Sequence, residues 1–442
     1  MKFGTSGIRE IYGEDLVMSD TFGLVSSMQG SMREGSRFLV GNDTRDGCRI
    51  LADGISSGLS YGGFDVNSIG LAPTPVIAFA TREGNFDLGL ACTASHNPPE
   101  FCGIKVFDGD GVALSEEREK TLMNSSNGVI SPNMGGVFGK IQNNDYGEKY
   151  VEKIMQKFPM SGKKFRILVD CANGVGSLFT PRLLGLLGHD VFSVNSHTSP
   201  LFLGRSPEPV KANLREIAEL VRRLNMDFGL VHDGDADRLV LIDGNGVVID
   251  DYIFSYIMLQ LVLKEGSGNV VISINTSSII ESLARDNQCK VWRARLGKTF
   301  IDLRKDGGIF ATEPSKIIDP SWGYWEDGIY AAIKLTQYLA TSGFSLSELV
   351  NSVPKRTYLQ RNLVVDKYNY PSLKERSLKH FGLRGIEEVQ EFDGLRLLLR
   401  DGSWILFRSS GTESKARIYV ESSSEKESLA LLGEGVQILS NL

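Results

Sequence analysis

The sequence predicts an α/β protein in which one layered unit occurs three times and a smaller α+β unit follows. Two observations carry this. Phe38-Leu-Val-Gly-Asn-Asp-Thr-Arg45, Phe165-Arg-Ile-Leu-Val-Asp-Cys-Ala-Asn-Gly174 and Val270-Val-Ile-Ser-Ile-Asn-Thr-Ser277 share one design: a short apolar run, a polar turn, then a helical pattern. Continuous apolar runs suit strands buried on both faces, and the following helices suit the cover of a parallel layer. The copies recur at roughly a hundred residues or slightly more, the size of one α/β domain. From about Tyr358 the pattern changes to a strand over Asn362–Asp366, a helix from Ser372 to His380, strands over Gly394–Leu399 and Ser403–Phe407, and a closing helical stretch rich in Glu, Ser and Leu. The short turn Arg400-Asp401-Gly402 points to an antiparallel sheet with helices on one side, and Pro354-Lys355-Arg356 reads as a hinge before it. The expected units are 1–150, 151–250, 251–355 and 356–442.

A chain of 442 residues is too long for one core, and 41% hydrophobic with 23% charged residues is ordinary for a globular protein. No apolar run is long enough to span a bilayer, and Met1–Thr5 lacks a secretory stretch, so a cytoplasmic protein without membrane contact is expected. The 48 basic and 54 acidic residues are dispersed and leave a net charge of -6, which argues against a nucleic-acid partner but not against a small anion. The five cysteines form no CxxC pair, so disulfide scaffolding and a zinc knuckle are poor readings.

Four loops hold the chemistry. In Ala91-Cys-Thr-Ala-Ser-His-Asn-Pro-Pro99 the prolines exclude helix and central strand, which leaves Ser95 in a rigid turn beside His96, with Lys105 ten residues on. A serine hydroxyl needs a base or a metal to act as a nucleophile, and a lone turn serine more often bonds local backbone. The surroundings do not match the elbow of the α/β-hydrolases. His232-Asp-Gly-Asp-Ala-Asp-Arg238 lies between two apolar runs and sets Asp233, Asp235 and Asp237 at alternate positions. Such carboxylates can point one way, repel one another without a cation, and as hard oxygen ligands favour Mg²⁺. An EF-hand is excluded, because Arg238 and Gly244 stand where its glycine and glutamate belong. Arg238 beside a metal suits a phosphate contact. Arg408-Ser-Ser-Gly-Thr-Glu-Ser-Lys-Ala-Arg417 gathers hydroxyls, a glycine and arginines of the kind that hold a phosphate dianion, against the alternative of a charged surface hairpin. Ala311-Thr-Glu-Pro-Ser-Lys316 says only "polar loop". Gly297-Lys298-Thr299 fails as a P-loop at Trp292, and Gly174-Val175-Gly176 fails as a dinucleotide fingerprint at Phe179.

Together these loops resemble the α-D-phosphohexomutase family, in the family's order and over nearly the whole chain. T-A-S-H-N-P matches Thr93–Pro98, D-G-D-x-D-R matches Asp233–Arg238 and R-x-S-G-T-E-x-K-x-R matches Arg408–Arg417. F-G-T-S-G-I-R matches Phe3–Arg9, G-x-D-T-R matches Gly41–Arg45, and Arg205–Pro209 is similar to a further family stretch. The resemblance implies three related α/β domains with mixed sheets and a smaller C-terminal α+β domain around a central cleft. It implies reversible phosphoryl transfer between the 1- and 6-positions of a glucosamine, glucose or mannose phosphate, through phosphorylated Ser95 and a hexose 1,6-bisphosphate. Mg²⁺ would sit on Asp233, Asp235, Asp237 and a Ser95 oxygen. Arg9, His96, Lys105 and Arg238 would serve the chemistry. Glu313, Ser315, Lys298 and Lys316 would face the sugar, and Arg408, Ser410, Gly411, Thr412 and Arg417 the distal phosphate. The implied partner is a small hexose phosphate, bound by a monomer or homodimer. The Asp-Ala-Asp and Glu-Pro-Ser loops resemble those of the branch that holds phosphoglucosamine mutases and archaeal-type phosphoglucomutase/phosphomannomutases. The sugar loop departs from the pattern at Lys316 and Ile317, where relatives have glycine and often histidine, and Ala311-Thr312 replaces two glycines. That departure keeps two other readings open: a sugar-phosphate-binding regulatory paralogue, and a metal-dependent sugar phosphatase.

Overall fold

The computed structural model describes residues 7–124, 129–132, 137–160, 162–364, 369–409 and 415–441. The first sheet contains β1 (Ile8–Ile11), β2 (Arg37–Asn42), β3 (Asp65–Leu71), β4 (Leu88–Cys92), β5 (Phe101–Asp108) and β6 (Ile141–Gln142), in the order β1-β5-β4-β2-β3-β6. The second contains β7 (Arg166–Asp170), β8 (Asp190–Val194), β9 (Phe228–Val231) and β10 (Val240–Asp243), in the order β10-β9-β7-β8. The third contains β11 (Val270–Ser273), β12 (Val291–Ala294), β13 (Phe310–Glu313) and β14 (Lys316–Ile318), in the order β12-β11-β13-β14. Each copy therefore has a central apolar strand, β2, β7 or β11, with a parallel neighbour on each side. These are the three runs that share one design in the sequence.

Each copy ends in an antiparallel hairpin: β4 with β5, β9 with β10, β13 with β14. The sheets are mixed for this reason. A parallel neighbour needs a helical crossover, whereas an antiparallel one needs only a turn, so the turn emerges at the end of a buried strand.

The fourth sheet is wholly antiparallel: β15 (Thr357–Val364), β16 (Ile386–Gln390), β17 (Leu395–Leu399), β18 (Trp404–Ser409) and β19 (Lys415–Ser422), in the order β15-β19-β18-β17-β16. Helices Tyr370–Gly382 and Glu425–Ser440 cover it. The first of its strands begins at Thr357, earlier than the sequence pattern suggests, and Val365 and Asp366 lie outside the described residues. The sequence reading missed β16: Ile386-Glu-Glu-Val-Gln390 is mostly polar, and as an edge strand it is exposed on both faces.

One continuous apolar core runs through the first three units, from Leu39 and Phe79 through Phe228 to Phe310 and Ile333. The fourth unit has its own core around Phe381, Leu397, Phe407 and Ile418. At the junction of the first and third units Phe79, Tyr150, Trp322 and Tyr330 stack or meet edge-on at 5.2–5.4 Å. Asp327 holds this group together. It caps helix Gly328–Ser342 through the Tyr330 N–H at 2.8 Å and accepts from Tyr150 Oη at 2.9 Å and Trp322 Nε1 at 2.8 Å. Removing a buried acceptor leaves its donors bare at ~1–3 kcal/mol each. Asp327→Ala is expected to lower stability by ~3 kcal/mol or more, against ~1 kcal/mol for Tyr150→Phe, both read as shifts of the urea unfolding midpoint.

Candidate active site

The three hairpin turns meet. The β4–β5 turn carries Ser95, the β9–β10 turn carries the aspartates, and the β13–β14 turn carries Pro314 and Ser315 between Glu313 and Lys316. Each turn contains one non-glycine residue in the left-handed region: Ser95 at φ +52°, Ala236 at +58° and Ser315 at +58°. Such a conformation costs about 1–2 kcal/mol and persists only where surrounding contacts enforce it.

For Ser95 the enforcing contacts come from the Asp43–Arg45 turn after β2. The Ser95 N–H donates to Thr93 Oγ1 at 2.9 Å, and that hydroxyl donates to Asp43 Oδ2 at 2.7 Å. Arg45 is 1% exposed. Its Nε donates to Asp43 at 3.1 Å, and its other N–H groups donate to the carbonyls of Ser95, Asn97 and Phe101 at 3.0, 2.6 and 3.1 Å and to that of Pro98. Its guanidinium face lies 4.6 Å from the Phe202 ring. A guanidinium has five N–H donors, and this one uses them all on the serine loop and its support. The G-x-D-T-R motif was visible in the sequence, but nothing local marked Arg45 as the clamp of a loop fifty residues away.

Ser95 Oγ donates to Asp233 Oδ2 at 2.8 Å and lies 3.2 Å from His96 Nδ1. Gly234 makes this approach possible, because a Cβ there would fall 2.6 Å from the Ser95 carbonyl oxygen. Asp233, Asp235 and Asp237 are all buried, and one oxygen from each lies within 4.8 Å of the others. Lys105 Nζ donates to Oδ2 of Asp235 at 2.6 Å and of Asp237 at 2.7 Å, and Thr74 Oγ1 donates to Asp235 Oδ2 at 2.6 Å. The Oδ1 atoms of Asp235 and Asp237 are buried and have no hydrogen-bond partner. Unpaired carboxylate oxygens converging in a buried pocket fit a hard divalent cation such as Mg²⁺.

The electrostatics of the triad follow from its neighbours. Burial, then Asp235 and Asp237, push Asp233 up to about 7. Burial acts upward on Asp235 and Asp237 too, but Lys105 on both, and Lys316 and Arg238 on Asp237, outweigh it and hold them below the usual range. Burial, with Arg238, Arg9 and Lys316, holds His96 well below its usual pKa, so its imidazole is neutral. Arg9 is turned toward the same aspartates, its Nε buried and without a hydrogen-bond partner. Arg238 Nε lies 3.8 Å from Asp233.

The other expected ligands are partly committed within the chain. Glu313 accepts from the Gly297 N–H at 2.8 and 2.9 Å and from Thr299 Oγ1 at 2.9 Å. Burial and Glu326 push it up to about 7. Lys298 is bonded to Glu119 at 2.9 Å. Ser315 is buried, and its carbonyl accepts from the Leu239 N–H at 2.9 Å, which ties the β13–β14 turn to the aspartate loop. Lys316 donates to Asp237 at 2.8 Å and to Glu326. Ser410, Gly411 and Thr412 lie outside the described residues. Arg408 and Arg417 flank that turn and are register partners on β18 and β19. Like charges directly opposite one another are unfavourable, which suits a site completed by an anion. Asp393 supplies one such charge, 3.0 Å from Arg408 Nε, and also accepts from the Leu296 N–H at 3.0 Å. Sequence reasoning missed Thr74, Glu326 and Asp393, and noted Asp43 only within the G-x-D-T-R motif. Of the first three only Asp393 had a cue, the Asp393-Gly394 turn that leads into β17.

Comparison with known proteins finds relatives over nearly the whole chain. Sequence profiles described as phosphoglucomutase/phosphomannomutase alpha/beta/alpha domains I, II and III match residues 1–131, 148–246 and 250–357, and the C-terminal domain profile matches 373–434. A phosphoglucomutase/phosphomannomutase of Thermococcus kodakarensis is 34% identical over 455 residues, covering 99% of this chain and 98% of the relative. A phosphoglucosamine mutase of Methanococcus maripaludis is 33% identical over 463 residues, with the same coverage. The crystal structure of a phosphoglucomutase/phosphomannomutase family protein from Burkholderia thailandensis superposes with a TM-score of 0.87 at 22% identity, over 99% of this chain and 97% of that one, and shows the shared fold.

The tight approach of the two loops is testable. Gly234→Ala is expected to force the serine and aspartate loops apart and cut kcat by ~10²-fold or more, with little change in circular dichroism. The steady-state rate and the spectrum of the purified variant check this.

Proposed function

This chain belongs to the phosphoglucomutase/phosphomannomutase family and is a phosphohexomutase, an isomerase, and from that premise we propose that Ser95 carries the transferred phosphoryl group. The observation that carries the reading is Ser95 Oγ bonded at 2.8 Å to the first of three buried aspartates, two of which keep an unpaired oxygen. In one half-reaction the Oγ–P bond of phosphorylated Ser95 breaks while a hydroxyl oxygen of the sugar phosphate bonds to phosphorus. The hydroxyl proton passes to the site and Ser95 regains its own. The resulting hexose 1,6-bisphosphate turns over and returns its other phosphate to Ser95, with the same bonds exchanged in reverse.

Phosphoryl transfer asks the protein for position and for positive charge. Asp233, Asp235, Asp237 and an oxygen on Ser95 would hold Mg²⁺, which supplies charge neutralisation at the phosphoryl oxygens. Arg9, Lys105 and Arg238 add fixed cations around the same point. Asp233 and the neutral imidazole of His96 both lie within hydrogen-bond reach of Ser95 Oγ and are placed to hold its proton. We assign Glu313, Ser315 and Lys298 to the sugar side of the cleft, and Arg408, Ser410, Gly411, Thr412 and Arg417 to the distal phosphate. Units 1–150, 151–250, 251–355 and 356–442 then bear the phosphoserine, the metal, the sugar contacts and the distal phosphate site. The facing pair Arg408 and Arg417 supports a site for a second phosphate, which a phosphatase does not need.

A coupled assay tests this with glucose 1-phosphate, mannose 1-phosphate and glucosamine 6-phosphate, each with Mg²⁺ and a trace of hexose 1,6-bisphosphate. Turnover is expected on at least one sugar, lost on chelation and restored by Mg²⁺. Ser95→Ala is expected to lose at least ~10³-fold in kcat, and mass spectrometry to find phosphate on Ser95. Full turnover by Ser95→Ala, or phosphate on another residue, overturns the assignment.

A further inference from the structure

Lys316 stands where the sequence departs from its family's pattern, and its surroundings give it a definite task. It opens β14 and pairs in register with Glu313 across the turn. Its ammonium lies between two carboxylates: it donates to Asp237 Oδ2 at 2.8 Å and to Glu326 Oε2. Lys105 reaches the same Asp237 oxygen at 2.7 Å and Asp235 Oδ2 at 2.6 Å. The two lysines thus occupy the Oδ2 atoms, and the Oδ1 atoms of Asp235 and Asp237 are the ones left bare.

Two other roles fit poorly. A proton-transfer group must face the substrate, whereas the Lys316 ammonium lies between Asp237 and Glu326 and donates to both. A sugar-binding lysine needs free N–H groups, and two of its three are already committed.

We propose that Lys316 is a resident cation of the metal centre, which keeps Asp237 in its ligating orientation when no metal is bound and limits how tightly a divalent cation is held. The proposal rests on the assignment of the three aspartates as metal ligands. Its physical basis is Coulombic. A fixed positive charge on one oxygen of a carboxylate repels a cation at the other, and the buried setting screens this less than water would. The same charge lessens the repulsion among Asp233, Asp235 and Asp237 in the metal-free protein. Glu326 supplies the counter-charge, so the effective repulsion depends on the pair rather than on the lysine alone. Lys316 is in this sense a positioning residue, acting on the metal through Asp237.

The two members of the pair predict opposite effects. Titration of the metal-free full-length protein with Mn²⁺, followed by the paramagnetic resonance signal of the free ion, is expected to show about tenfold tighter binding for Lys316→Met and several-fold weaker binding for Glu326→Gln. Chelation is expected to lower the melting temperature of Lys316→Met more than that of the parent protein. Non-specific damage to the site weakens binding in both variants, so the opposite signs are the signature. Binding by Lys316→Met equal to or weaker than the parent's overturns the role of Lys316 and leaves the metal site standing. No Mn²⁺ binding by the parent protein overturns the metal site itself, and this inference with it.

Discussion

Three carboxylates are buried within 4.8 Å of one another, and much of this molecule can be understood as the means of keeping them there. Burying an ion costs several kcal/mol even after relaxation, and three like charges add mutual repulsion. The chain answers with cations from separate places in the sequence: Lys105 on β5, Arg238 beside the triad and Lys316 on β14, with Arg9 on β1 turned toward the same charges. Apart from Arg238, none of these groups could be brought together by local structure. Assembling them needs three sheets whose turns converge, which is what the repeated unit provides.

The repeat does this through its hairpin. In every copy the third parallel strand turns back into an antiparallel partner, and the turn between them bears the functional residues. The first three copies share one continuous core, so their turns are fixed relative to one another. Close backbone approach completes the arrangement. Gly234 admits the Ser95 carbonyl, and Gly328, at the start of the buried helix capped by Asp327, admits the Arg238 carbonyl. The aromatic group around Asp327 therefore bears on the position of the aspartate loop as well as on stability.

How much of this the sequence shows depends on the range of the interaction. The three apolar runs reveal the repeat, because a strand buried on both faces leaves an uninterrupted apolar stretch. Ser95 and the aspartates stand out because prolines and alternating acids are unusual between such runs. Glu313 reads only as part of a polar loop, and it is the resemblance that singles it out. Thr74 and Glu326 were silent, and the tasks of Arg45 and Asp393 could not be read, since their partners lie on other elements. Arg45 is the clearest case: a buried arginine whose five donors are all used looks like any surface arginine in one dimension. Edge strand β16 was missed for the opposite reason, because it lacks the burial that leaves a pattern.

The fourth unit is attached differently, and its attachment bears on how the site is completed. It has a separate core and meets the third unit through Trp404 and Tyr419 packed on Ile274, and through Glu421, which accepts from the Ser278 N–H at 3.1 Å. Besides the Tyr252 hydroxyl, which donates to the Arg356 carbonyl, a further contact is the segment from Arg295 to Lys298. There Arg295 donates to the Phe392 carbonyl and Leu296 to Asp393, while the next two residues reach Glu313 and Glu119. Four adjacent residues thus join the first, third and fourth units. Asp393 holds Arg408 with the same carboxylate that holds Leu296. An anion arriving between Arg408 and Arg417 would compete with Asp393 for Arg408, and Asp393 lies next in line to the backbone that anchors Glu313. Arg408 and Glu313 are therefore connected through Asp393 and the Leu296–Gly297 backbone. The fourth unit is thus held by a small apolar patch and a few polar contacts, in contrast to the continuous core that the first three share.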